Sequence, residues 1–352
     1  MAQGCAHKTL FSNGSATCID GLSRLSSDLS MRTALLWCFS GVLLLLSSGC
    51  HVLTPQPIPV DKYFTCDEQL QATKPVIERG REMPVLDTVG WIIGIPSKII
   101  LWDSRADRHY ISPETEQVLA KYIDDNGLYH VKFRLNQYAP IQDWHRLRAN
   151  KSVGWGWRYT LGVLSLAGEA ILPGRLFGGD HYNPYTGTVH IYSDIPVITL
   201  HEAAHAKDFS RRKYPGTYGA IYLIPVVPLW HESVASRDVV AYLQYLGNPA
   251  LEKEGYHVLY PAYGTYVGSA AGTFFPDYAN PLYIGGILWG HAVGRWNGSQ
   301  VNPETYRSVR DGDVMSPHFV PSPVQESTTV DQSLPIYENG AQSANAVSSI
   351  PY

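Results

Sequence analysis

Hydrophobic and polar positions in this chain follow two periods. In residues 129–135, Val131, Phe133 and Leu135 share one side, a period of two that predicts a half-buried strand. Residues 188–192 alternate in the same way, after the turn Asn183-Pro184-Tyr185-Thr186-Gly187. Residues 89–95 and 98–102 are β-rich runs on either side of Pro96-Ser97, which predicts a hairpin. Helices are signalled at their ends. Ser112-Pro113-Glu114 supplies an N-cap, a first-turn proline and an acidic first turn, and Gly127 stops that helix. Residues 141–149 and 157–172 also read as helical. Ser193-Asp194 predicts the cap of another helix, with Pro196 in its first turn and an end near Ser210. A further helix begins near Leu229, after Pro225 and Pro228, and runs to Leu246 with Gly247 as its stop.

The strongest apolar run, residues 33–48, follows Met31-Arg32 and ends in Ser47-Ser48-Gly49-Cys50. One positive charge, an apolar centre and small residues read as a bacterial signal peptide over 31–49. Its ending resembles a lipobox, which implies that Cys50 becomes the lipidated first residue of an exported, membrane-anchored envelope lipoprotein. An uncleaved anchor helix is the other use of the same run. Residues 1–30 are polar and aperiodic, and read as sequence upstream of the true start at Met31. Residues 50–87, with three prolines in 51–61, read as a tether. A single domain is then expected over 88–300. Residues 301–352 turn polar and read as a mostly disordered tail. Of five cysteines only Cys50 and Cys66 follow the signal, so no internal disulfide framework is expected.

Charge narrows the function. The chain has 27 basic and 31 acidic residues, so it lacks the basic surplus of a nucleic-acid binder. A mean hydropathy of −0.13 argues against a polytopic membrane protein, and no repeat of 20–50 residues is visible. Gly264, Gly268 and Gly272 are spaced by four, as are Gly286, Gly290 and Gly294. Small residues at that spacing suit close helix packing behind a site, or a surface that meets a bilayer or an apolar substrate.

The candidate chemistry is His201-Glu202-Ala203-Ala204-His205, an HExxH motif on a predicted helix. Residues i and i+4 lie on one face, so both imidazoles can reach one ion. Glu202 projects about 100° around the helix. From there its carboxylate can act as base toward water that zinc has acidified. A third ligand is needed, and Glu232 is a candidate. It stands at the N-terminal end of an apolar stripe formed by Ala235, Val239 and Leu243, where a carboxylate needs a partner. His231 points about 100° away from it. Asp208 is too far along the axis to join and reads as a surface or supporting residue. Asp238 is placed to support a ligand histidine from the second helix. Tyr218, Tyr266 and His291 are candidates to stabilise an oxyanion.

These residues resemble the zincin metallopeptidases, and within them the gluzincins, which combine HExxH with a downstream Glu. The resemblance covers the helices at 195–210 and 229–246. It implies an α+β zincin-like fold: a small mixed sheet with an edge strand before the HExxH helix, then a mainly helical part. It implies zinc on His201, His205 and Glu232, Glu202 as catalytic base, and a peptide or protein substrate laid along the edge strand, whose place residues 188–192 occupy. The metzincin variant is excluded, because Asp208 stands where it needs Gly and Arg211 where it needs its third His. The competing expectation is a non-catalytic binding or scaffold lipoprotein with a structural zinc or no metal. There His231 or His181 would close the site as a fourth ligand.

Overall fold

A computed structural model describes residues 53–59 and 76–303. Cys50, Cys66, the signal at 31–49 and the tail beyond 303 lie outside the described residues. The fold is α+β and mostly helical, with one four-stranded mixed sheet. The strands are β1 (Ile77–Arg79), β2 (Lys132–Leu135), β3 (His181–Asn183) and β4 (Thr188–Ile191), in the order β1-β2-β4-β3. β1, β2 and β4 run parallel, and β3 pairs antiparallel with β4 through the Asn183–Gly187 turn.

Two strand expectations need correction. β2 is buried on both faces, not one. Its polar positions are neutralised inside: Lys132 bonds Glu78 at 2.9 Å, and Arg134 bonds Glu78 at 2.5 Å and Asp143 at 2.9 Å. Alternation marks the sides of a strand, and here ion pairing lets the polar side be buried too. Nor is β4 an edge. It is hydrogen-bonded to β2 on one side and β3 on the other, so the edges among the described residues are β1 and β3, and β3 is the one beside β4.

The hairpin expected at 89–102 is instead a bent pair of helices, α1 (Pro84–Ile93) and α2 (Ile95–Leu101), meeting at 50°. Proline in each first turn and the Asp87 carboxylate, which accepts from the Met83 amide at 2.8 Å, favour helix starts over β propensity. Tertiary contact adds to this. A Cβ on Gly90 would meet the Arg175 carbonyl oxygen at 2.8 Å, so the backbone itself is packed there. No single helix among the described residues is long and apolar enough to cross a membrane, although this bent pair is by length and composition.

α3 (Pro113–Asn126) starts at Ser112, whose side chain accepts from the Thr115 amide, and stops at Gly127 with φ 65°. α4 (Pro140–Ala149) and α5 (Val163–Ile171), the latter led by a π-helical turn over Arg158–Gly162, pack on each other and bond the β3–β4 hairpin through Arg146 to Thr188 and Glu169 to Asn183. α6 (Pro196–Ser210) carries the HExxH motif. α7 (Pro215–Ala220) leads to α8 (Val227–Tyr245), which carries Glu232. The apolar core joins Phe133 and Leu135 of β2, Val189 and Ile191 of β4, Leu200 and Ala203 of α6, and Ala235 and Val239 of α8. It thereby fixes the helices that carry His201, His205 and Glu232 against the sheet.

The chain before Thr88 is more engaged than a tether. Leu53 and Ile58 are buried, and residues 53–59 are pinned to α8. Gln56 donates its amide to the Arg237 carbonyl at 3.2 Å, and Ile58 donates its amide to Asp238 at 2.5 Å. β1 also belongs to the sheet.

The glycine series resolves as close packing between α9 (Pro249–Phe274) and α10 (Ala279–Ser299). A Cβ on Gly268 would stand 2.5 Å from the Leu282 oxygen and 2.6 Å from the Tyr283 Cα. Backbone cannot yield as a flexible side chain does. Gly268→Val should therefore cost about 3 kcal/mol, the upper part of the usual overpacking range, measured by urea unfolding. A loss below about 0.5 kcal/mol would mean that the helices separate without penalty.

Candidate metal centre

α6 begins without a side-chain cap. Pro196 occupies its first turn, but Ser193 and Asp194 serve other segments. The Ser193 hydroxyl accepts from the Asp107 amide at 2.9 Å. Asp194 accepts from the Ser112 amide and hydroxyl at 2.8 and 2.7 Å and from the Thr115 hydroxyl at 2.8 Å. The expected cap of α6 is thus a carboxylate at the positive end of α3, which locks that helix to the entry of the HExxH helix.

One turn apart on α6, His201 and His205 bring their Nε2 atoms to 3.1 Å. Glu232 reaches across from α8. Its Oε2 lies 2.9 Å from His201 Nε2 and 3.5 Å from His205 Nε2. Four ligands arranged tetrahedrally at bonds of roughly 2.0–2.1 Å leave donor atoms about 3.3 Å apart. The three separations lie within a few tenths of that value, and two imidazoles with one carboxylate are a donor set zinc accepts. The residues therefore fit the ion.

The carboxylate and the two imidazoles stabilise one another electrostatically. Burial alone would lift the Glu232 carboxyl, but His205 and His201 outweigh it and hold it far below the usual carboxylate range. Burial likewise opposes a charged His205, yet Glu232 raises its imidazole to about 9. Two further residues orient the set. The Tyr222 hydroxyl donates to Glu232 Oε1 at 2.9 Å, and Ser236 Oγ lies 3.4 Å from His201 Nδ1. Ser236 is one turn beyond Glu232, so helical spacing carried a signal for it. Tyr222 sits on a 3-10 turn, Ile221–Leu223, and no sequence period pointed there.

The site opens on a cleft of about 400 Å³ lined by Glu202, His205, Glu232, His181, Tyr222 and Tyr266. Burial and then the Glu232 charge push the phenols of Tyr222 and Tyr266 well above their usual value, so both stay hydrogen-bond donors. Tyr266 is the one oxyanion candidate in the cleft. Tyr218 is committed to Asp208 and to Arg212, the latter at 2.9 Å. His291 bonds the Ile100 carbonyl at 2.8 Å and stacks on Trp102.

Three other expectations are settled by contacts. Asp238 does not support a histidine. It is wholly buried and bonds Lys207 of α6 at 2.8 Å, the Ile58 amide and the Tyr122 hydroxyl. The nearby cation satisfies the carboxylate before any imidazole can reach it. Asp208 is not on the surface but buried against Tyr218 and Arg212. His231 turns away from Glu232, as helix geometry requires, and stacks on Tyr218 at 4.2 Å between centroids. Neither His231 nor His181 joins the three donors; among the described residues the set is His201, His205 and Glu232.

No family model matches the chain, and neither the curated proteins nor the solved structures give a match.

Proposed function

We propose that this protein is a zinc-dependent peptidase of the bacterial cell envelope, a gluzincin-like enzyme held at the membrane by lipid on Cys50. The observation that carries the reading is the convergence of His201, His205 and Glu232, at zinc-like spacing, on a cleft that also presents Glu202. Zinc in this set supplies Lewis acidity and an acidified water.

The chain's own groups do the rest. Glu202 projects from α6 into the cleft beside His205 and takes the proton of the attacking water. It later returns a proton to the leaving amine. Tyr266 donates to the oxyanion that develops on the substrate carbonyl. Tyr222 holds Glu232 in place through its 2.9 Å bond. A peptide adds to the outer side of β3, whose His181 and Tyr182 form one wall of the cleft, by main-chain hydrogen bonds.

The ligand assignment is tested by zinc titration of chelator-stripped protein. Glu232→Ala should weaken zinc binding at the His201–His205 pair by about a hundredfold or more, since even supporting residues of metal sites are worth 10–100-fold. His231→Ala should cost stability, because the ring is buried among aromatic side chains, and leave zinc affinity within a few fold. Should His231→Ala be the variant that loses metal, the assignment falls.

A further inference from the structure

A second group of metal-ligating side chains lies beside the same cleft, which one of them, His181, lines. Glu169 of α5, His181 of β3 and His190 of β4 each offer one donor atom, and the three lie within 4.8 Å of one another. His181 and His190 are directly paired across the hairpin, and their rings stack at 4.8 Å between centroids, 15° from parallel. Glu169 Oε1 stands 3.2 Å from His181 Nε2 and accepts from the Asn183 side-chain Nδ2 at 2.8 Å. None of these three belongs to the His201–His205–Glu232 set.

His181 Nδ1 donates to the Gly179 carbonyl oxygen at 3.0 Å, as metal-bound histidines commonly do with their other N–H. Its Nε2 faces Glu169 in an ion pair whose proton a divalent ion would displace. The observation that points to a ligand is His190. The side chain is buried, at 3% exposure, and its Nε2 has no hydrogen-bond partner among the described residues. Asp143 Oδ2 is nearest in charge, at 3.9 Å, beyond hydrogen-bond reach. An imidazole nitrogen buried without a partner has a cost that a metal bond removes. Of the neighbouring guanidinium groups, Arg134 is neutralised by Asp143 and Glu78, and Arg146 is turned onto the Thr186 and Gly187 carbonyls.

We infer that Glu169, His181 and His190 form a second divalent-cation site, separate from the HExxH site. Two imidazoles and a carboxylate suit a borderline ion such as zinc, and not magnesium or calcium, which take oxygen donors. The donors come from a helix and from both strands of the hairpin, so a bound ion staples the edge strand β3 to α5. That strand is the wall along which the proposed substrate lies. Its His181 side chain is 38% exposed, which leaves the ion a way in from solvent.

The test uses zinc alone, added to chelator-stripped full chain, with stoichiometry read by equilibrium dialysis and stability by thermal melting. Wild type should bind two equivalents. Glu169→Gln and His181→Asn should each bind one, and so should His205→Ala, which removes the other site. In the His205→Ala background zinc should still raise the melting temperature, and adding Glu169→Gln should abolish that rise. His181→Asn, at a part-exposed position, guards against loss of folding in a more buried variant. One equivalent in wild type, lost in His205→Ala and kept in Glu169→Gln, overturns the second site and leaves the proposed peptidase centre standing. One equivalent lost in Glu169→Gln and kept in His205→Ala supports the second site and removes the metal basis of the peptidase reading. No zinc bound in any variant overturns both.

Discussion

Glu202→Gln should lower peptide-bond hydrolysis by about 10²–10⁴, the usual worth of a positioned general base, while zinc stays bound at full stoichiometry. The amide keeps the volume and reach of the carboxylate but cannot accept the water's proton. Zinc is retained because Glu202 is not among the three converging donors; it faces the cleft from a position about 100° around α6. Glu202→Asp should fall between the two, since the base is kept but withdrawn by one methylene from its working position. The assay pairs cleavage of a labelled unfolded protein with metal analysis of the same samples. Near-full turnover in Glu202→Gln would refute the assigned role even with zinc present. Loss of zinc in that variant would instead move Glu202 into the ligand set.

Asp238→Ala should destabilise the domain by about 3–5 kcal/mol, the cost of breaking a buried ion pair by removing one partner. Lys207 and Asp238 are both fully buried. Burial pushes the Lys207 ammonium down and Asp238 holds it partly up, so without the carboxylate the lysine must shed its proton or stay charged in the core. The Ile58 amide and the Tyr122 hydroxyl lose their acceptor in the same step. Against a total stability of 5–15 kcal/mol typical of domains, that loss is large. Replacing both partners, as Lys207→Met with Asp238→Leu, should recover much of it, since two apolar groups carry no desolvation cost. Chemical denaturation of the two single variants and the double variant measures this. A single-variant loss below about 1 kcal/mol would show that water reaches the pair. Lys207 lies on α6 and Asp238 on α8, so the same contact sets the register of the two helices that carry His201, His205 and Glu232.

The cluster of His201, His205 and Glu232 was legible because its cues are local. HExxH encodes its geometry in one helical turn. Glu232 was found from the stripe Ala235, Val239 and Leu243, all of which are buried. What escaped the sequence depends on partners far along the chain. Asp238 reads as support for a ligand histidine until Lys207 is brought beside it, 31 residues away in sequence. Asp194 reads as the cap of the next helix until α3 arrives to claim it. The helices at 84–101 look like strands by composition, and only the contact at Gly90 and the proline punctuation decide otherwise. Strand order is not local either, so β4 could be identified as a strand and still be misplaced at the edge. Glu169, His181 and His190 have no motif spacing. They meet through a hairpin register and a helix packed on it.

Sheet topology also ranks the steps of folding. Parallel neighbours cannot be joined by a tight turn, so each must be returned by a long crossover. Ile77 pairs with Phe133, and Phe133 with Val189, each roughly 55 residues apart. Closing loops of that length loses chain entropy before any contact repays it, which makes such pairings slow. The α9–α10 hairpin and the β3–β4 turn close over short loops. His201 and His205 share a helix, and Glu232 follows on the next major one. The helices that carry His201, His205 and Glu232 can therefore associate while β1, the first strand among the described residues, is still unpaired.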